Sequence, residues 1–502
     1  MILPNKSRAL RIAVLASLAA VLTPASAQVA PSAPATPAPA AAPAVELLAQ
    51  PIAIDKLDNG LTIVTAPFAS PGTVSYFTLV RAGSRDEIEA GKSGYAHLFE
   101  HLMFRGTDKT PAAEYEKRMQ AMGADNNAFT TDDFTLYTPT IPKDALAELI
   151  GIEADRFQRL NVGQRAYKDE TGAVMGEFNK SSSSPYWAMD EALREVAFKS
   201  HTYGHTTIGY KRDVEVMPAA YEYSRAFFKR FYTPDDCTIF VVGDFDRAKV
   251  VELVRANYKD WQTKRAATDT RPEPEQTAPR NKALTWKSAT TPRLALGWKI
   301  PATHSSIKDA AALIVVAALA FGESSDLYQR LVVNEQKAIE LSSDPDDVLH
   351  RDPGLFRVDV KLKAGTAFDE IVAAIDDTLA KLGRGEVPAA RVEAVKSHVL
   401  NSTLLGLQTP NAVAERLAFW TAVTGDIRGF ETFGKELGTV GAADVARVAK
   451  AYLVPARRNV VTLSPPSAAA PKPAAPTAAA PKPAAPTAPK PAASVAPKAV
   501  TK

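Results

Sequence analysis

Two histidines and a glutamate fall within five residues, at His97, Glu100 and His101. On a helix, the two histidines stand one turn apart, separated by about 6 Å of rise and about 40° of rotation, so both imidazoles can converge on one ion. This spacing is typical of zinc ligands, and Glu100 points to the same side, where it can take a proton from a metal-bound water. The alternative is a chance match on a helix whose histidines have a structural role.

The other positions of this helix predict that it is buried. They are apolar, namely Leu98, Phe99, Leu102, Met103 and Phe104. A buried His–Glu–His cluster without a partner would be costly, so we expect the cluster to bind something.

A zinc site needs more protein ligands than these two histidines, because catalytic zinc usually takes three and a water. A third ligand is expected on another helix. Glu170 and Glu177 are seven residues apart, two helical turns along one face. Taken alone, such a pair is more typical of a solvated acidic face.

The motif HLFEH, followed 76 residues later by Glu177 with Glu170 seven before it, resembles the inverted zinc-peptidase signature of the pitrilysin family. That family includes insulin-degrading enzyme and mitochondrial processing peptidase. The resemblance covers roughly residues 50–464. Its supporting stretches are LDNGLTIV, RAGSRDE, NNAFTTDDFTLY, HTYGHTTIGYKRDVE and FYTPDDCTIFVVGDFD.

The resemblance implies a role for each matching residue. The zinc ligands, for one ion per chain, are His97, His101 and Glu177. Glu100 is the general base, and Glu170 orients a ligand histidine. Asn127 and Ala128 would hydrogen-bond a peptide substrate that lies alongside as an added strand.

The second half of the chain departs from the family pattern. Active relatives usually carry an Arg and a Tyr seven residues apart there, which hold the substrate and stabilise the oxyanion. Here Val332 and Ile339 occupy these positions, with Tyr328 and Arg330 close by as substitutes. We therefore expect a homodimer or a heterodimer with a homologous subunit that supplies the missing pair.

The elements that position these residues appear twice along the chain. A strand at 134–138 is followed by an amphipathic helix at 142–160, and a strand at 355–362 by a helix at 366–382. This order predicts a duplicated α+β unit. The resemblance implies two duplicated α/β-sandwich domains of the processing-peptidase type, facing each other around a chamber.

Composition shifts predict six segments: a signal peptide (1–27), an Ala/Pro-rich linker (28–49), a first domain (50–262), an interdomain linker (263–283), a second domain (284–464) and a disordered Pro/Ala/Lys tail (465–502). The resemblance implies that 50–262 is an N-terminal zinc-binding peptidase domain and that 284–464 is a C-terminal peptidase-like domain. The signal has a basic start, a short apolar run and a small-residue cleavage site, which predicts export to the periplasm. A second apolar run, 310–321, is too short to span a bilayer.

Charge and cysteine content exclude several classes. The net charge of +3 is concentrated in the basic ends, and the mildly acidic body argues against nucleic-acid binding. The single cysteine, Cys237, excludes an intrachain disulfide and is expected to be a buried hydrophobe. The tail is either a solvated spacer or a lysine-rich contact with an anionic envelope surface. We expect His201 and His205, which flank Gly204, to lie in a loop rather than to form a second metal pair.

These observations predict a zinc-dependent endopeptidase that hydrolyses peptides or unfolded protein segments in the cell envelope. Two alternatives remain open. One is a non-catalytic structural or assembly subunit that retains the peptidase fold. The other is a tethering protein whose function lies in the tail.

Overall fold

The computed structural model describes residues 46–48, 51–266, 268 and 270–466. The predicted signal peptide, most of the Ala/Pro-rich linker and nearly all of the predicted tail lie outside these residues.

The first half of the chain builds a seven-stranded mixed sheet. Its strands are β1 (Ala53–Lys56), β2 (Thr62–Pro67), β3 (Thr73–Val80), β4 (Ala128–Thr130), β5 (Thr135–Tyr137), β6 (Thr140–Pro142) and β7 (Cys237–Gly243). They are ordered β1-β2-β7-β3-β5-β4, with β6 paired to β3. Strands β2 and β7 are parallel, and the other pairs are antiparallel. Strand β4 therefore lies at an open edge.

The second half builds a five-stranded sheet with the same plan. Its strands are β8 (Arg280–Thr285), β9 (Arg293–Lys299), β10 (Ala338–Ser342), β11 (Leu355–Leu362) and β12 (Arg458–Ser464). They are ordered β10-β11-β9-β12-β8, and only β8 and β12 are parallel. In both sheets an early strand runs parallel to the last strand, which confirms the predicted duplication. Strand β8 begins inside the segment predicted as a linker.

Helices cover the sheets. They are α1 (Tyr95–Leu102), α2 (Ala112–Ala121), α3 (Leu146–Arg159), α4 (Gln164–Ser181), α5 (Pro185–Ala197), α6 (Lys211–Val216), α7 (Tyr221–Phe231), α8 (Arg247–Tyr258), α9 (Ile307–Phe321), α10 (Asp326–Tyr328), α11 (Phe368–Gly383), α12 (Ala389–Leu405), α13 (Pro410–Thr424), α14 (Gly429–Thr439) and α15 (Ala442–Tyr452). Strands and helices cluster rather than alternate strictly, so the predicted fold of two α+β domains is confirmed.

Each sheet is covered on one face by a helix from the other half. Helix α5 packs on β8, β9 and β12, and helix α13 packs on β3 and β7. Phe134 of the first half meets Phe419 of α13 edge to face, with ring centroids 5.7 Å apart. One hydrophobic core consequently contains side chains from both halves.

The strand expected at 355–362 is β11, and the helix expected at 366–382 is α11. The strand expected at 134–138 is β5, but the helix expected at 142–160 begins only at Leu146, because Pro142 ends strand β6 and residues 143–145 form a 3₁₀ turn. The apolar run at 310–321 lies in α9. The longer helical run Ile307–Asn334 is apolar enough to cross a membrane by length and composition, yet 72% of its most apolar window is buried inside the protein. It packs as a core helix.

Candidate metal centre

Helix α1 presents the motif residues on one side and apolar residues on the other. Leu98, Phe99 and Leu102 are buried, as the pattern predicted. The helix starts after Gly94, whose backbone is left-handed with φ +92°. An added Cβ there would collide with the carbonyl oxygen of Ile208, so glycine is required at this turn.

The structure brings His97 and His101 together with Glu177 of α4. Oε2 of Glu177 lies 3.5 Å from His97 Nε2 and 3.7 Å from His101 Nε2. The donor atoms of the three residues all lie within 4.8 Å of one another. Four ligands held about 2.0–2.1 Å from a tetrahedral zinc would lie about 3.4 Å apart, so the spacing and the donor types fit this ion.

Glu170 stands behind this cluster. Its Oε2 lies 3.2 Å from His101 Nδ1, and its side chain is buried. Arg105 forms an ion pair with the same carboxylate. Glu170 is therefore placed where it could fix which nitrogen of His101 faces the cluster, and this orienting role stays a prediction. Arg105 was not predicted, although it lies four residues after His101.

Burial sets the electrostatics of the motif. Desolvation, together with the neighbouring His101, lowers the pKa of His97 to about 3, which keeps its imidazole neutral as a metal ligand requires. Desolvation also raises the pKa of Glu100, and the charge of Glu177 adds to this effect. The hydroxyl of Thr130 donates a 2.7 Å hydrogen bond to Glu100 Oε2 and opposes the shift.

Thr130 belongs to the edge strand β4, which places this strand beside Glu100. The carbonyl of Asn127 accepts from the amide of Thr138, toward β5. Because backbone groups of successive strand residues point to opposite sides, the amide and carbonyl of Ala128 face the open edge. Asn127 is exposed and Ala128 is buried. The role of Thr130 was missed, because only the packing of β4 against α1 creates its contact.

His201 and His205 lie apart from the cluster. They flank a single 3₁₀ turn, and His201 Nε2 lies 2.9 Å from Asp352 Oδ2. Nδ1 of His205 bonds the carbonyl oxygen of Thr206 at 2.9 Å. Within the described residues, the only group of histidine, cysteine and acidic side chains suited to a metal is His97, His101 and Glu177.

The segment aligned with the family Arg and Tyr has an irregular backbone. Val332 lies half-buried in a π-helical turn, Gln329–Asn334. Gln336 has a φ of +51°, and the pairing of β10 with β11 skips Ile339, which is 50% exposed. Arg330 Nε lies 3.7 Å from Glu335. That Val332 and Ile339 replace the family pair stays a prediction.

Two family models match this chain. The model described as insulinase, peptidase family M16, matches residues 66–211, and the model described as the inactive domain of M16 peptidases matches residues 219–399. Together they span more than half of the chain.

Individual proteins agree with these matches. The zinc protease PqqE of Helicobacter pylori is 28% identical over 417 residues, which are 82% of this chain and 92% of the relative. The crystal structure of a protease from Helicobacter pylori superimposes with a TM-score of 0.77 at 26% identity, covering 83% of this chain and all of that one. The periplasmic protease PqqL of Escherichia coli shares the fold, with a TM-score of 0.68 at 21% identity over 85% of this chain and 48% of its own length.

Proposed function

Because the chain belongs to the insulinase family of peptidases, family M16, we propose that it is a zinc-dependent endopeptidase hydrolysing peptides or unfolded protein segments in the cell envelope. One observation carries the proposal. The donor atoms of His97, His101 and Glu177 converge within 4.8 Å beside the carboxyl group of Glu100.

Two imidazoles and one carboxylate form a catalytic zinc set that leaves a coordination position open. When bound, one zinc ion per chain would supply Lewis-acid activation of a water molecule and of the scissile carbonyl. His97, His101 and Glu177 would hold the ion, and Glu170 would keep His101 in the required tautomer.

Glu100 acts as the proton carrier. It takes a proton from the attacking water at one carboxyl oxygen and delivers it to the nitrogen of the leaving amine. Its raised pKa, caused by burial, makes the carboxylate a stronger base than an exposed one. The hydrogen bond from Thr130 to Oε2 holds the group in one orientation.

The open edge of β4 selects extended substrates. A peptide that pairs with the backbone of Ala128 adds a strand to the first sheet. Only an unfolded or flexible segment can do this, since a folded one already uses its backbone hydrogen bonds. Asn127, exposed at the start of this edge, would contact the same peptide.

The partner and the location are also proposals. Val332 and Ile339 cannot donate a hydrogen bond to an oxyanion. A second copy of this chain would carry the same two residues, so the proposal that a homologous subunit supplies the donors favours a heterodimer over a homodimer. The N-terminal signal-like segment and the name of the periplasmic relative PqqL support a periplasmic location. There the basic tail would meet an anionic envelope surface.

A non-catalytic subunit that retains the fold is the second candidate. The apolar residues at 332 and 339 favour it, and some family members are inactive. The intact set of His97, Glu100, His101 and Glu177 argues against it, because a subunit without chemistry has no need of a base beside metal ligands. Zinc content separates the two: about one ion per purified chain supports the enzyme, and none supports the subunit.

Glu100→Gln tests the enzyme directly. Removal of a general base typically lowers the rate about 10²–10⁴-fold, and we expect a loss of kcat in this range on an unfolded peptide. Zinc content, measured by atomic absorption, should remain at the wild-type level. Glu252→Gln, an exposed position on α8, is the matched control and should retain wild-type activity. Equal rates in wild type and Glu100→Gln would remove Glu100 from the reaction.

A further inference from the structure

Glu87 is a buried acid at the start of the motif helix. It follows the loop after β3, and its side chain is completely buried. Both carboxyl oxygens accept hydrogen bonds at the start of α1: Oε2 from the amide of Gly94, which precedes the helix, and Oε1 from the amide of Ala96, each at 2.7 Å. These two amides lie just before the first candidate zinc ligand, His97.

The first turn of α1 has no other cap. The first amides of a helix have no intrahelical partner, and Gly94, which precedes the helix, has no side chain to supply one. A carboxylate there also interacts favourably with the positive end of the helix dipole. Burial raises the pKa of Glu87, and the bonds from Ala96 and Gly94 oppose this shift. The carboxyl group of Glu87 is therefore shielded from water, and its hydrogen bonds go to backbone amides at the start of α1 instead.

The rest of α1 is held in a complementary way. The hydroxyl of Tyr137 donates to the carbonyl of Phe99 at 3.2 Å. At the C-terminal end, Nη1 of the buried Arg156 lies 3.5 Å from the carbonyl oxygen of Met103. The same arginine pairs with the buried Glu153 at 2.7 Å, so both ends of α1 contact buried polar side chains that supply hydrogen bonds to its backbone.

His205 is the basic group that faces Glu87. Its Nε2 lies 3.9 Å from Glu87 Oε2 and has no hydrogen-bond partner among the described residues. Nδ1 already bonds Thr206, so the ring is fixed in orientation.

We propose that Glu87 is a positioning residue for the metal centre: it holds the first turn of α1 so that His97 meets His101 and Glu177. The inference rests on the proposed zinc site, because its consequence is the affinity for that ion. A glutamine in its place has one acceptor oxygen and one NH2 donor, so one of the two amides of the turn loses its acceptor and faces a second donor. His97 then loses its fixed position while His101 and Glu177 retain theirs.

The test compares Glu87→Gln with Glu89→Gln in the full chain. Glu89 lies in the same loop but pairs with Arg230, so the control makes the same chemical change away from α1. Zinc affinity is measured by competition with a chromophoric chelator. Loss of a residue that orients a ligand typically weakens metal binding about 10–100-fold, and we expect this loss for Glu87→Gln and none for Glu89→Gln.

Amide hydrogen exchange of the zinc-free proteins supplies a readout that is independent of the ion. In Glu87→Gln, exchange should become faster at residues 94–98 and remain at the wild-type rate in the second sheet. Should Glu87→Gln fail to fold, Glu87→Asp replaces it, since it keeps the charge and only withdraws the carboxylate. Its zinc affinity should fall by a smaller factor.

The outcomes are distinguishable. Wild-type zinc affinity with unchanged exchange at 94–98 in the Glu87 variants overturns the inference. Faster exchange spread over the whole protein also overturns it, because Glu87 would then be a general stability residue. A wild-type chain that binds no zinc refutes the proposed function, while the exchange comparison still decides whether Glu87 holds the turn.

Discussion

At the scale of single residues, burial controls the charges of this protein. It keeps His97 neutral and makes Glu100 more basic, although both side chains come from one short helix. The difference arises because desolvation penalises the charged form of each group, which is the protonated form of histidine and the ionised form of glutamate. The same burial therefore suits His97 to its proposed role as a metal ligand and Glu100 to its proposed role as a base.

Lys299 shows the same effect outside the metal centre. It lies on β9 with Nζ 3.3 Å from the ring centroid of Phe198 and 4.0 Å from Glu273. Burial lowers its pKa to about 7, and Glu273 opposes this shift. Nζ has no hydrogen-bond partner within the described part of the chain. A buried amine of this kind costs stability whenever it is charged.

Replacement of this lysine should change how stability depends on pH. Above pH 7 the folded amine has lost its proton while the unfolded amine, with a pKa near 10.5, retains it. The wild-type free energy of unfolding therefore gains a rising contribution between about pH 7 and 10. Lys299→Met lacks this contribution. At or below pH 7 we expect its free energy of unfolding to exceed that of the wild type by a few kcal/mol, because the lowered pKa of Lys299 corresponds to a cost of that order for burying the charged amine.

Urea unfolding at several pH values measures this difference. Lys282→Met on β8, which removes a more exposed lysine paired with Glu195, is the control and should follow the wild-type curve. If the curves of Lys299→Met and wild type run parallel from pH 6 to 10, Lys299 keeps its proton in the folded protein and the prediction is wrong.

At the scale of elements, helix α4 carries both Glu170 and Glu177 and must stay regular between them. It contains Gly172 and Gly176, yet it runs unbroken from Gln164 to Ser181. An added Cβ at either glycine meets nothing within 4 Å. The packing of the buried residues Tyr167, Val174 and Phe178 fixes this helix in spite of its weak intrinsic propensity.

Gly172→Ala should therefore stabilise the protein. Alanine loses less backbone entropy in a helix, and the expected gain is about 0.5–1 kcal/mol in the free energy of unfolding. Gly94→Ala is the contrasting variant and should destabilise, because the left-handed backbone and the carbonyl of Ile208 leave no room for a side chain. Chemical denaturation checks both; a loss of stability in Gly172→Ala would contradict the expectation.

The edge strands β4 and β10 occupy equivalent positions in the two sheets but have different surroundings. Strand β4 faces Glu100, and its counterpart β10 follows a π-helical turn and carries a bulge at Ile339. Bulges redirect side chains, and π-helical turns occur often at functional sites. At this bulge the redirected side chain is that of Ile339, which is apolar. The backbone therefore has the irregular geometry of a functional site, but this position has no hydrogen-bond donor.

At the scale of the whole molecule, the halves share one core. Helix α13 of the second half buries one face of the first sheet, and helix α5 of the first half buries one face of the second. Separation of the halves would expose both faces to water. This exchange of helices fixes the position of the candidate metal centre in the first half relative to strand β10 in the second half.

The proposed partner gives a prediction for the intact protein. The purified chain alone should hydrolyse an unfolded peptide slowly, and a homologous subunit should raise kcat/KM about 10²–10³-fold, the usual effect of one oxyanion donor. The Glu100→Gln chain with the same subunit should remain slow, which locates the reaction in this chain. The double variant Val332→Arg, Ile339→Tyr should gain activity alone. Full activity of the isolated chain at every concentration would rule the partner out.

The sequence by itself was enough to predict the features that depend on local geometry. The i,i+4 spacing of His97 and His101, the buried face of α1, strand β11 and helix α11 all follow from periodicity along a few residues. The family pattern added Glu177, because no local rule relates this residue to His101, which lies 76 positions earlier in the chain. Gly172 and Gly176 made α4 look weaker than it is, since packing rather than propensity decides it.

Only the tertiary structure decided which distant groups meet. The bond from Thr130 to Glu100, the pair of Arg105 with Glu170 and the two bonds from Glu87 to α1 depend on how strands and helices pack. The exchange of α5 and α13 between the sheets depends on this packing too. Each of these residues is chemically able to contact many others, so its type alone does not identify its partner. The partner is determined by the one packing arrangement that buries the apolar faces of all the helices and sheets together.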